Sequence, residues 1–183
     1  MTRVESKVRH HDNQEFQVLS LKEFNEVLGA NYRVTKERSS VIEVKKSRIK
    51  KHLLIDPTRV IIHLLSQKAV RFPSDYEGYL IPLNFVALDF DETADPDYIT
   101  WYFNEHPKMK KQLILATQGS SVTSLSLVNL KDLKVELPDI KKQKQIGKAY
   151  RLSKDKQKLQ QERISLEQEA IKQKLINVLE GTT

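Results

Sequence analysis

Several acidic, basic and histidine side chains are spaced as in known metal or catalytic sites, but none of them completes such a site. Glu43-Val44-Lys45 matches the Glu-x-Lys half of a nuclease metal site, and the Pro-Asp pair that should precede it is missing. Asp89-Phe90-Asp91 opens like a calcium loop, yet Ala94 stands where glycine is needed and Thr100 where glutamate is needed. The five histidines do not have the spacing of metal ligands: they are His10, His11, His52, His63 and His106.

Other reactive groups are missing as well. The 183 residues include no cysteine, which excludes disulfide scaffolds, thiolate metal sites and cysteine nucleophiles. There is no Gly-Lys-Ser/Thr phosphate loop and no Gly-x-Ser-x-Gly nucleophile turn. We therefore expect no catalytic residue, no metal and no cofactor. Because no stretch approaches the roughly 18 apolar residues of a membrane helix, and no signal peptide is recognisable, we expect a cytoplasmic protein without a membrane partner.

The basic residues are unevenly distributed. The chain has 31 Lys and Arg against 24 Asp and Glu, a formal net charge of +7. Residues 139–183 hold 11 and 6 of these, a net of +5, so residues 1–138 keep a net of only +2. Within that part, residues 31–51 concentrate basic side chains, whereas residues 89–97 hold five acids and no base. Separate patches of this kind can orient a protein on a polyanion, and ordinary solvated loops are the alternative for either.

The apolar spacing predicts an α+β chain: a β-rich globule with short helices, followed by one long helix. A capping box of Ser20 and Glu23 with Gly29 as a stop predicts a helix over 20–28. Further helices are predicted from Pro96 to His106, over 108–115 and as a turn at 129–132. Strands are predicted at 41–44, 53–55, 60–65, 79–82 and 84–88, with a last strand ending at Pro138. Residues 1–15 are expected to be irregular.

Residues 140–180 contain no proline and predict a single helix about 60 Å long. Two stripes repeat every seven residues, which predicts a coiled-coil interface. Polar residues interrupt the first stripe, which argues against a simple parallel leucine zipper, and the presence of two adjacent stripes favours packing against helices on more than one side. A helix packed only on its own domain is the alternative. The candidate interface residues are Leu152, Leu159 and Leu166 in one stripe and Ile164, Ile171 and Val178 in the other.

One segment carries a specific resemblance. Residues 130–146 read Leu-Lys-Asp-Leu-Lys-Val-Glu-Leu-Pro-Asp-Ile-Lys-Lys-Gln-Lys-Gln-Ile. This resembles the junction in specificity subunits of type I restriction–modification systems, where a Leu-x-x-Leu-x-Val-x-Leu-Pro strand meets a long helix opening with Leu/Ile-x-x-Gln-x-x-Ile. Upstream, Asp95-Pro96-Asp97-Tyr98-Ile99 is similar to the family's Asp-Pro-x-Tyr-Leu helix start, and residues 119–124 are similar to its glycine and hydroxyl loop. The resemblance covers roughly residues 45–180.

The resemblance implies a target-recognition domain over 1–138 and a spacer or dimerisation helix over 139–183. Family members usually carry two of each, so it implies a half-length form that dimerises to read a bipartite, symmetric site on double-stranded DNA. It implies a methyltransferase subunit as partner, with a restriction subunit joining that core and the chemistry left to both. The candidate DNA contacts, chosen for charge and loop character, are Arg33, Lys36, Arg38, Lys45, Lys46, Arg48, Lys50, Lys51, Gln118, Ser120, Ser121 and Thr123.

A second interpretation keeps the fold and gives up DNA reading. The acidic run and the near-neutral globule favour a vestigial protein-interaction module that binds or modulates a methyltransferase. Co-purification with a methyltransferase, without a DNA sequence preference, separates this interpretation from the first.

Overall fold

The computed structural model describes residues 13–30, 40–118 and 124–181. The described residues form five strands, which are β1 (Asn13–Val18), β2 (Ser40–Lys45), β3 (Val60–His63), β4 (Lys68–Val70) and β5 (Phe85–Leu88). They also form five α-helices, which are α1 (Leu21–Leu28), α2 (Pro96–Glu105), α3 (Pro107–Thr117), α4 (Leu127–Asp132) and α5 (Ile140–Glu180). This mixed fold with a long C-terminal helix confirms the α+β prediction.

The strands make two small antiparallel sheets. β1 and β2 form a two-stranded ribbon in which Phe16 lies opposite Ile42. The second sheet has the order β4-β3-β5, with Ile61 opposite both Val70 and Ala87. All four residues of the central strand β3 are buried, as expected for a strand covered on both faces.

Alternation along β3 divides the core in two. Val60 and Ile62 face a cluster that includes Tyr102 and Met109 of α2 and α3. Ile61 faces the opposite way, into a cluster that includes Phe24 of α1. Successive side chains of a strand point to opposite faces, so one four-residue strand joins both halves of the core.

The helix starts follow local signals. Ser20 accepts from the Glu23 backbone, and the Glu23 carboxylate accepts from the Ser20 backbone, which completes the predicted capping box. Gly29 follows in the left-handed region with a φ of 73°, a conformation that glycine adopts without steric cost. α2 begins with Asp95 as its cap and Pro96 in its first turn. α5 begins with Asp139 as its cap.

Three strand predictions were wrong. Residues Lys51–Leu53 form a short 3-10 turn, and Leu54 and Leu80 meet only in an isolated bridge. Residues 133–139 are not in a sheet, because side chains of neighbouring helices bond their backbone groups. β1 lies partly where irregular chain was predicted, since its pairing with β2 is a long-range contact that no local pattern reveals.

Among the described residues, no helix is both long enough and apolar enough to cross a lipid bilayer.

Candidate nucleic-acid interface

The described part of the predicted basic segment is a short, exposed strip that we call the basic strip, residues 45–51. It runs from the last residue of β2 through a 3-10 turn at Lys46–Arg48 and into the next turn at Lys51–Leu53. The five basic residues of the strip are all exposed, and they are Lys45, Lys46, Arg48, Lys50 and Lys51. Within the described chain none of them is in a salt bridge with a carboxylate. The strip therefore presents positive charge to solvent, with only a longer-range attraction between Lys51 and Asp56.

Arg59 fixes the end of the basic strip to the globule. Its guanidinium forms two bonds to the Asp89 carboxylate, at 2.6 and 3.2 Å. It also donates to the carbonyl of Leu54 at 3.4 Å. Arg59 also donates to the carbonyl of Lys51, the last residue of the strip, at 3.5 Å. A bidentate arginine–carboxylate pair holds a defined geometry, so the backbone at the C-terminal end of the strip is anchored to the globule.

The acidic run 89–97 is largely used inside the molecule. Asp91 accepts from the backbone and hydroxyl of Thr93, and these bonds lower the pKa of the Asp91 carboxyl. Asp95 caps α2, and Asp97 accepts from two arginines. Four of the five acids thus have a partner within the chain, while Asp89, Asp91 and Glu92 remain exposed to solvent.

The start of α5 is locked onto α2 and its preceding loop. Gln143 is only 1% exposed, and its side chain accepts from the Asp95 backbone at 3.0 Å. Its amide nitrogen donates to the carbonyls of Thr93 at 2.9 Å and Pro138 at 2.7 Å. The two halves of the sequence resemblance, 48 residues apart, thus meet through Gln143 and Asp95.

One helical turn further along α5, Gly147 lies close to the backbone at the start of α2. A Cβ on Gly147 would lie 2.6 Å from the Asp95 carboxylate oxygen and 2.7 Å from the Tyr98 backbone nitrogen. Arg151 then pairs with Asp97 at 3.0 Å, and Arg71 reaches the same carboxylate oxygen at 3.1 Å. Only glycine leaves room for the two helices at this point.

We call the contact of α5 with α2 and its preceding loop, made by Gln143, Gly147 and Arg151, the joint. The sequence predicted little of it: Gln143 was recognised only as a motif position, and Arg71 and Arg151 carried no local signal. Gly147 did carry one, because it is the only glycine within α5 and a glycine inside a helix usually has a packing reason.

Beyond the joint, α5 carries its apolar stripes without cover. The six predicted interface residues are between 42% and 79% exposed, and they are Leu152, Leu159, Ile164, Leu166, Ile171 and Val178. Long helices draw most of their stability from packing an apolar face. These exposures fit a helix that packs on something other than its own globule, and the coiled-coil interface stays a prediction.

Of the other predicted DNA-contacting residues, only one lies within the described part of the chain. Gln118 is exposed and directly follows α3. The remaining predicted DNA contacts lie outside the described residues, and they are Arg33, Lys36, Arg38, Ser120, Ser121 and Thr123. The structure thus brings together Lys45 to Lys51 on one strip, and the role of all these residues stays a prediction.

In the described ranges, no group of three or more histidine and acidic side chains is placed to hold a metal ion. His63 is buried, with Nδ1 2.8 Å from the Ser66 hydroxyl. Its Nε2 has no hydrogen-bond partner within the described chain.

No protein-family model matches the chain, and no curated protein matches it. Solved structures do match. One is a chain from a study of complex assembly and conformational transition in a type I restriction–modification system, with a TM-score of 0.59 and 14% identity over 86% of this chain. Another is the HsdS subunit from Thermoanaerobacter tengcongensis, with a TM-score of 0.54 and 16% identity over 92% of this chain.

The chain spans about two fifths of the length of these structures, 40% of the first and 41% of the second. The matched part includes both the globule and the helix, since 86% or more of this chain is covered. The comparison agrees with the resemblance carried by residues 95–99 and 130–146. This chain therefore has the fold of a specificity subunit of a type I restriction–modification system.

Proposed function

We propose that this chain is a DNA-reading specificity subunit that directs methyltransferase and restriction subunits to a bipartite site. The observation that carries the proposal is the basic strip: exposed, positively charged and free of described carboxylate partners, on a globule with the specificity-subunit fold. The partner subunits carry out the methyl transfer and the cleavage, and this chain determines the DNA sequence at which they act.

The basic strip would contact phosphates, and the loop starting at Gln118 would contact base edges. Lysine and arginine on phosphates supply affinity and register, whereas polar side chains in a groove supply sequence discrimination. Arg59 bonds both Asp89 and the Lys51 carbonyl, so the backbone at the C-terminal end of the strip has a defined position on the globule. The lysine side chains stay exposed and flexible, which suits contacts to phosphates.

The joint at Gln143 and Gly147 would make the globule and α5 move as one body. A second copy, paired through the exposed stripes of α5, would then supply a second globule at a set distance. Two identical globules related by a two-fold axis read a symmetric, two-part site. The same helices would dock the methyltransferase subunit.

Duplex binding measured against salt tests the role of the basic strip. We expect Lys46→Gln with Lys50→Gln to weaken binding and to reduce the slope of log K against log salt by about 2, since each lysine on a phosphate contributes about 1.

The matched control is Lys172→Gln with Lys174→Gln, two exposed lysines of α5 with the same change in net charge. Equal slopes for the strip pair and the wild-type protein would remove the strip from the DNA contact.

A protein-interaction module without DNA reading is the second candidate, favoured by a net charge of only +2 on residues 1–138. The acidic run supports it less than the sequence suggested, because Asp89 and Asp97 are paired with arginines, although Asp91 and Glu92 still present negative charge to solvent. A complex with a methyltransferase that shows no sequence preference would favour this candidate over the first.

A further inference from the structure

Two exposed leucines, Leu65 and Leu83, lie at the same end of the sheet formed by β4, β3 and β5. Just beyond the last paired residues of β3 and β5, the Leu64 backbone nitrogen donates to the Asn84 carbonyl at 2.9 Å. Leu65 directly follows Leu64, and Leu83 directly precedes Asn84. We call this end of the sheet, with its two leucines, the leucine tip.

Both leucines of the tip are in turns and open to solvent. Leu83 is 100% exposed and Leu65 is 54% exposed. Leu83 lies inside a turn that is closed by the Phe85 backbone nitrogen donating to the Pro82 carbonyl at 3.0 Å. Turns favour glycine, proline, asparagine, aspartate and serine for their backbone geometry or short polar side chains. The fold therefore has no need of a large apolar side chain at position 83.

Backbone bonds connect the leucine tip to two regions that the sequence predicts to contact DNA. The Ile81 backbone nitrogen donates at 2.9 Å to the carbonyl of Leu53, in the turn that follows the basic strip. The Leu125 backbone nitrogen donates at 3.0 Å to the Leu64 carbonyl. Leu125 directly follows residue 124, the end of the glycine and hydroxyl segment 119–124. The tip thus adjoins the end of the basic strip and the end of that segment.

The chain around the leucine tip is free of acidic residues. Residues 57–74 and 78–88 contain no aspartate and no glutamate, whereas Arg59, Lys68 and Arg71 lie within them. Carboxylates close to a polyanion would cost affinity by like-charge repulsion. The tip can therefore approach a nucleic acid without bringing negative charge of its own.

We propose that the leucine tip recognises thymine through apolar contact with its C5-methyl group in the major groove. Leu83 makes the contact, and Leu65 extends the apolar surface beside it. The inference rests on the proposed DNA reading and adds a chemistry to it. Cations of the basic strip contact phosphates, and polar loop side chains form hydrogen bonds, whereas a methyl group is detected by an apolar side chain.

Replacement of thymine by uracil, which pairs in the same way but lacks the methyl group, tests this contact. The duplex carries the sequence selected by the chain together with a methyltransferase subunit, and its thymines are replaced one at a time. We expect the wild-type complex to bind about fourfold more weakly at one or two positions, the change that burial of one methyl group gives.

Leu83→Ala should remove the response to uracil at those positions. Its affinity for the thymine duplex should fall by a similar factor, about fourfold, because the same contact is lost from the protein side. Leu65→Ala should weaken binding to the same duplex by a smaller factor, since Leu65 only extends the surface.

The control is Leu137→Ala, which is 47% exposed and next to Pro138 at the joint. It should bind and respond to uracil like the wild-type protein. The unfolding midpoint of Leu83→Ala should equal that of the wild-type protein, since the side chain is fully exposed. The salt dependence of its binding should also stay unchanged, because no phosphate contact is removed.

Two results would overturn the proposal while leaving DNA reading intact. One is a wild-type complex that prefers a sequence and yet binds every uracil duplex as tightly as the thymine duplex. The other is a Leu83→Ala variant that keeps the full response to uracil. Binding without any sequence preference, or no binding, would instead remove the proposed function and thymine recognition with it.

Discussion

At the scale of single residues, the joint between the globule and α5 depends on a few side chains with complete bonding. Gln143 uses its carbonyl oxygen and both protons of its amide on three backbone groups from two different segments. Buried amides of this kind fix a geometry because every alternative leaves a polar group unpaired. The sequence pattern could mark Gln143, but two of its three partners are 48 and 50 residues away and no local rule identifies them.

Gly147→Ala tests this joint, because helix propensity alone predicts that the variant is more stable, whereas the close packing predicts that it is less stable. Alanine is the better helix former by about 1 kcal/mol, yet its Cβ would lie within 2.8 Å of three atoms around Asp95, Asp97 and Tyr98. We expect a net loss of about 1–3 kcal/mol in the free energy of unfolding, measured by urea denaturation.

The control for this variant is Ser153→Ala, an exposed position of the same helix, which should be neutral or slightly stabilising. If Gly147→Ala were as stable as Ser153→Ala, the two helices would not approach as closely as described.

His63 predicts a pH dependence of stability. Its ring lies in the core, with centroids 5.6 Å from Phe24 and 4.7 Å from Phe85, and burial lowers its pKa below the ordinary value of 6.5. The unfolded chain then binds the proton more readily than the folded one, so stability is full above pH 6.5 and falls as the pH is lowered from there.

Urea unfolding between pH 5 and 8 measures this effect, with His63→Gln as the comparison. The variant should show a flatter profile below about pH 6.5. Identical pH profiles for the two proteins would mean that the ring is not held neutral in the core.

At the scale of elements, local sequence signals predicted the helices, whereas they did not predict which extended segments pair in a sheet. The capping box at Ser20, the Asp95-Pro96 start and the proline-free run from Ile140 gave α1, α2 and α5, because a helix is built from contacts within one segment. The strand expected before Pro138 did not form, since Gln112 and Tyr98 satisfy its backbone in place of a sheet. Such side-chain replacements depend on tertiary contacts that a single segment cannot reveal.

The exposed stripes of α5 lead us to predict self-association through pairing with a second copy. Replacing Leu159 and Leu166 by lysine should convert a dimer into a monomer at micromolar concentration, because charged groups cannot be buried unpaired at a helix interface. Light scattering with size separation gives the mass.

The matched control places lysine at Gln161 and Ser165, which are exposed, lie outside the predicted stripes and give the same change in net charge. The control should remain a dimer. A wild-type protein that is monomeric at this concentration would contradict the assignment to a second copy.

At the scale of the whole molecule, the net charge of +7 is a poor guide to the site. A net of +5 belongs to residues 139–183, and the acidic run that offsets the globule's basic residues is mostly engaged in internal contacts. What matters for a polyanion is the local arrangement: five exposed cations between residues 45 and 51. The sequence could locate that segment, whereas the engagement of the acids became evident only from the fold.

Selection of binding sites from random duplexes, with a methyltransferase subunit from a type I system present, tests the central claim most directly. We expect enrichment of one bipartite, symmetric sequence, with an affinity that falls steeply as salt is raised. Recovery of random sequences at every salt concentration, from a complex that nevertheless contains the methyltransferase, would contradict DNA reading by this chain.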